Sequence, residues 1–132
     1  MNRILRNAIQ TPDGTILASR TRHDYKEYMD ADGGWHMIDG GLDYIRRSTT
    51  PAIDLSVSEG DAPHEKLREL VTWGTYGKKG DQPLSYRTIA TMDTGHLQAV
   101  VATQILHPQI KDLMQAELEY RDEQNQEERE AI

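Results

Sequence analysis

The stretch RNAIQTPDGTILASR, residues 6–20, decides how the first half of the chain folds. Thr11-Pro12-Asp13-Gly14 places proline second and glycine fourth in a four-residue turn, the arrangement that favours type I geometry. Apolar residues stand on both sides of it, Ile9 before and Ile16 and Leu17 after, so the pattern predicts two antiparallel strands joined by that turn. The same logic repeats downstream. Tyr25 to Met29 and Trp35 to Asp39 flank Asp30-Ala31-Asp32-Gly33-Gly34, which supplies glycines for positive φ and predicts a second hairpin. Gly40-Gly41 then allows a sharp reversal into Leu42 to Ser48, and Ile53 to Val57 alternates as a short half-buried strand does.

From Pro63 the texture changes. Proline suits the first turn of a helix, His64 to Val71 continues it, and Gly74 stands where a C-terminal cap is expected. Residues 74–87, GTYGKKGDQPLSYR, read as a long loop with three glycines and a proline, and long loops invite a functional explanation. Asp93 or Thr94 caps a helix with Leu97, Val100, Val101 and Gln104 on one face. Pro108 opens another with Ile110, Leu113, Met114 and Leu118, and the pair predicts a two-helix hairpin. The charged run RDEQNQEEREAI reads as a solvated helix end. Strands first and helices later define an α+β fold, an antiparallel sheet followed by helices, in one domain with a β part at 1–58 and a helical part at 63–132.

The 132 residues carry a formal charge of −7, placed unevenly: residues 1–92 hold 12 basic and 13 acidic side chains, residues 93–132 hold 3 and 9. Such a chain repels long polyanions, since nucleic-acid binders work through clustered lysine and arginine. A small anion in a local arginine pocket remains compatible. The absence of cysteine excludes disulfides and thiolate zinc sites. The start, MNRILRNAIQ, has no apolar run of signal-peptide length, and no stretch reaches the ~20 apolar residues of a membrane span, so a soluble intracellular protein is expected.

Three groups of residues carry possible chemistry. Arg46 and Arg47 offer guanidinium forks suited to phosphate, but neighbours on a strand point to opposite faces, so one at most meets a given ligand. The plainer reading is an ion pair with Asp39 or Asp43. The segment Trp73 to Tyr86 joins aromatic rings (Trp73, Tyr76, Tyr86), glycine amides, Lys78 and Lys79, and the polar groups of Asp81 and Gln82, a mixture that suits a nucleotide; a plain surface loop with Trp73 anchored in the core is the alternative. His23-Asp24 suggests acid–base chemistry, yet adjacent strand residues diverge. No GxSxG, HExxH, Walker or dinucleotide motif is present, so no catalytic role and no cofactor is expected.

RNAIQTPDGTILASRTRHDYKEY and MIDGGLDYIRRS resemble a small family of mostly uncharacterised phage and bacterial proteins with the pattern RNxIxxxxGxxxxSxxxHD(Y/F) followed by VDGGxDYxRR. Some of these carry CxxC where this chain has Thr11-Pro12-Asp13-Gly14, so no metal role carries over. Their longer members are similar in layout to viral Thoeris anti-defence sponge proteins, which sequester cyclic ADP-ribose isomers. That likeness implies an N-terminal antiparallel sheet, a homodimer or larger assembly built through the C-terminal helices, and action in the host cytoplasm against TIR-type defence. It implies a pocket with Arg46 or Arg47 on phosphate, an aromatic position near Val71 to Trp73, and Asp81 or Gln82 as the polar group. Val71 is not aromatic, which hands that role to Trp73 or Tyr76. A host-protein interaction module and a cyclic-nucleotide hydrolase using His23 are the alternatives.

Overall fold

The computed structural model describes residues 2–77 and 79–131, and is α+β as the sequence pattern implies. The chain divides into two compact units, Met1–Asp61 and Ala62–Ile132, close to the break read at 58–63.

In the first unit β1 (Ile4–Gln10) and β2 (Ile16–Ser19) form the expected antiparallel hairpin, with Ile9 opposite Leu17. Its turn closes as the sequence requires: the Gly14 amide donates to Thr11 O at 2.9 Å, and Gly14 has φ +89°. Asp13 accepts from Thr11, from the Thr15 and Ala31 amides, and from the Tyr28 hydroxyl, so the turn is also a hub between hairpins. The second hairpin pairs β3 (Lys26–Met29) with β4 (Trp35–Asp39), and β4 continues to β5 (Arg46–Arg47). The expected strand at 53–57 is instead two short pieces, β6 (Ile53–Asp54) and β7 (Val57–Ser58), both antiparallel to β1. Ser56 causes the break: its hydroxyl approaches the backbone of Ala8, and its own amide donates to Asp54. Ile53 is consequently exposed and Val57 buried. Ile9, Leu17 and Ile38 form the apolar core, with Tyr28 against it.

Beneath this sheet His36 is fully buried, bonded through Nε2 to Asp30 Oδ2 at 2.7 Å. Asp30 also accepts from the Asp32 and Gly34 amides, so one carboxylate fastens the turn and the strand after it. These bonds, that from His36 first, hold the Asp30 carboxyl below its ordinary range.

In the second unit α1 (His64–Leu70) starts after Pro63 as expected, but Gly74 does not cap it. The chain turns extended at Val71 and enters β8 (Thr72–Thr75), which pairs with β9 (Ser85–Thr88). The segment read as a long loop is therefore a β-hairpin. Gly74 serves that pairing: a Cβ there would lie 2.9 Å from the Tyr86 ring opposite it. A short 3-10 turn, Ile89–Thr91, leads to α2 (Thr94–Thr103) and α3 (Pro108–Glu130). Leu97 and Val100 of α2 are buried with Ile110, Leu113 and Met114 of α3, an i, i+3, i+4 stripe. Val101 is half-buried and Gln104 exposed, and from Asp122 onward the described residues of α3 face solvent. No helix among the described residues is long and apolar enough to cross a membrane.

The residue that extends the α3 stripe by one further turn is Glu117 rather than an apolar group, and it is fully buried. Arg68 donates to both its oxygens (2.7 and 2.8 Å), Arg121 Nε donates to Oε2 (2.7 Å), and His64 Nε2 lies 2.9 Å from Oε1. Burial alone would raise the pKa of this carboxyl; the bonds from Arg68, Arg121 and His64 outweigh it and hold the group down at about 2. Arg68 also stacks over the Tyr120 ring, and Arg121 reaches Ile89 O, Ala90 O and the Thr94 hydroxyl. One carboxylate thus fastens α1, α3 and the turn before α2.

Candidate functional site

The segment DGGLDYIRR, residues 39–47, is an architectural knot. Asn7, 1% exposed, donates from Nδ2 to the carbonyls of Asp39 and Gly41. Ser19 Oγ accepts from the Gly41 amide and donates to Asp24 O. Gly40 and Gly41 have φ of +90° and +55°; a Cβ on Gly40 would fall 1.4 Å from Tyr44 O, and one on Gly41 2.5 Å from Thr21 C. Only glycine fits either place. Arg46 and Arg47 are both engaged. Arg46 lies 3.0 Å from Asp39 with its side chain largely exposed, and Arg47 donates to Asn7 Oδ1, contacts the Ser56 hydroxyl and lies 3.1 Å from Asp54. The ion-pair reading of Arg46, with Asp39, is the observed one. Asn7, Ser19, Asp39, the paired glycines and Arg47 together build this turn.

The second unit holds concave surface. Two adjoining hollows of about 260 and 130 Å³ lie between the β8–β9 hairpin and α2, and share Thr75, Gly77 and His96. The larger is walled by Trp73, Tyr76, Gly80, Val100 and Gln104, the smaller by Arg87, Thr91, Met92 and Asp93. Register explains the assembly: Trp73 pairs with Arg87 and Thr75 with Ser85, so alternate side chains of both strands share one face. His96, in the first turn of α2, completes the wall. Arg87 is exposed; its backbone pairs with Trp73, but its guanidinium makes no hydrogen bond or ion pair with any described residue.

Of the residues singled out in the sequence, Trp73 and Tyr76 are brought together here. Val71 lies outside the lining of either hollow: it is 1% exposed in the core, and its backbone pairs with Leu67 and Ile89. Asp81 and Gln82 are exposed on the hairpin loop, 3.4 Å apart through their side chains, outside the lining of either hollow. Two of the three glycine amides expected to cradle phosphate are spent internally, Gly77 on the Thr75 hydroxyl and Gly80 on Gly77 O. Lys78 lies outside the described residues, and His23 is exposed in a turn of the first unit. Arg87, His96 and Gln104 were not anticipated; only the strand pairing that puts Arg87 opposite Trp73 could have revealed the first. No group of three or more His, Asp or Glu able to hold a metal occurs among the described residues. No protein family, curated protein or solved structure matches the chain.

Proposed function

We propose that this protein binds and holds a small anionic nucleotide in the hairpin–α2 cleft without converting it, with cyclic ADP-ribose isomers as the ligand class. The observation that carries this is the placement of Arg87, an exposed guanidinium with no partner among the described residues, in the hollow that adjoins the one walled by Trp73 and Tyr76, with His96 common to both. Arginine meets a phosphate with two parallel N–H donors, and a ring against a base contributes ~1–3 kcal/mol. His96 and Gln104 supply polar contacts for ribose or base edge. Capture requires affinity and no transition-state complementarity, which these groups suit. In the viral sponge setting that the motif resemblance implies, such a protein would deplete the signal of TIR-type defence in the host cytoplasm, working as a homodimer or larger assembly.

The charge distribution bears on that assembly. Beyond Tyr120 the described part of α3 carries no large apolar side chain, whereas Ile105, between α2 and α3, is fully exposed. A dimer formed through the helices therefore rests on α2 and the α2–α3 connection.

The test is retention and release. Protein incubated with a cyclic ADP-ribose isomer, desalted and heat-denatured should return the ligand intact. Recovery of a linear product would make the protein a hydrolase, and recovery of nothing would remove the proposal.

A further inference from the structure

The outer face of the β3–β4–β5 sheet presents a second arrangement, independent of the cleft. Side chains alternate along these strands, so Tyr28, His36 and Ile38 face the core while Tyr25, Glu27 and Met29 of one segment stand beside Trp35, Met37 and Asp39 of the next, with Arg46 opposite Asp39. Three large apolar groups on this face are open to solvent: Tyr25 at 45%, Met29 at 58% and Trp35 at 43%. Solvated strands usually carry small or charged groups there, so the patch asks for an occupant.

The two rings are oriented by one carboxylate. Tyr25 Oη donates to Glu27 Oε2 at 2.9 Å and Trp35 Nε1 donates to the same oxygen at 3.3 Å. Both rings therefore turn their polar edges to Glu27 and keep their faces accessible, while Glu27 Oε1 accepts no bond from any described residue. The charge of Arg46 is already opposed by Asp39, which leaves Glu27 as the uncompensated charge of the patch. Two π faces bordering a carboxylate form a receptor for a cation; a nucleotide would bring its phosphate against Glu27, and the cation on the face among the described residues, Arg46, is already paired with Asp39. A guanidinium fits better than an ammonium, because its plane stacks on a ring while its fork meets a carboxylate.

We propose that Tyr25, Glu27 and Trp35 form a docking site for an arginine side chain presented by a partner protein. The test uses N-acetyl-arginine methylamide as probe and the Trp35 indole N–H resonance of the full chain, identified by its disappearance in Trp35→Phe. Saturable movement of that resonance at millimolar probe, weakened about tenfold or more in Glu27→Gln, is the expected result. A spectrum of Glu27→Gln that otherwise overlays the parent excludes misfolding as the cause. The proposal fails if the probe leaves the resonance unmoved, if Glu27→Gln responds as the parent does, or if adenosine monophosphate moves it at lower concentration than the arginine probe. Arg87→Ala should leave this response unchanged, which separates it from the nucleotide cleft.

Discussion

The arginine knot of the first unit and the hairpin cleft of the second contain the same chemical group in opposite states. Arg46 and Arg47 sit side by side in the segment richest in apparent anion-binding character, yet each is held by carboxylate or amide oxygens of its own unit. Arg87 sits in an unremarkable strand opposite Trp73, and no described residue partners its guanidinium. An anion site is made by donors that remain unmet. Counting guanidiniums draws attention to the adjacent pair; accounting for their partners is what favours the cleft in the proposed reading.

The sharpest contrast on the side of spent charges comes from Glu117. Glu117→Ala should cost about 3–5 kcal/mol in denaturant unfolding, because it leaves Arg68 and Arg121 facing a buried site without their shared acceptor. Acid should act through the same group. Its folded pKa of about 2 lies below the ordinary 4.5, so its contribution is complete above about pH 4.5 and is lost as pH falls toward 2. Glu59, which Arg3 holds at about 2, adds the same dependence in the first unit. Stability should therefore decline between pH 4.5 and 2; a flat profile there would show that these pairs are absent in solution.

Gly40→Ala comes next, at about 3 kcal/mol or more, since it combines positive φ with a Cβ overlapping Tyr44 O. A variant as stable as the parent would show that the turn is not the knot described. Arg47→Ala should cost about 1–3 kcal/mol by stranding buried Asn7 Oδ1. Arg87→Ala should alter stability by less than about 0.5 kcal/mol, as an exposed change touching no described partner. If Arg87→Ala destabilises as much as Arg47→Ala, the two arginines do not differ as described.

Much of the fold was legible because turn chemistry is local. Pro12 with Gly14, Gly33 with Gly34, Pro63 and Pro108 marked two hairpins and two helix starts, and the 110, 113, 114 spacing marked the buried face of α3. The β8–β9 hairpin was hidden because its strands are four residues each and its glycines lie both in a strand, at Gly74, and in the loop. Glu117 was invisible since a charge at a core position is intelligible only with its partners, which arrive from α1, 49 and 53 residues earlier in the chain, and from the next turn of α3. The aromatic half of the candidate site was found from composition, at Trp73 and Tyr76. The cation was not, because cross-strand register that places Arg87 opposite Trp73 leaves no trace in spacing along the chain.

The central proposal is that Arg87, whose guanidinium no described residue partners, and not the adjacent pair, receives the phosphate. Titration calorimetry of a cyclic ADP-ribose isomer into the parent chain, Arg46→Ala and Arg87→Ala tests it most directly. Binding should persist in Arg46→Ala and weaken by roughly 10- to 150-fold in Arg87→Ala, the loss of a charged hydrogen-bonding contact of about 1.5–3 kcal/mol. Undiminished binding by Arg87→Ala, or its loss in Arg46→Ala, would contradict the account.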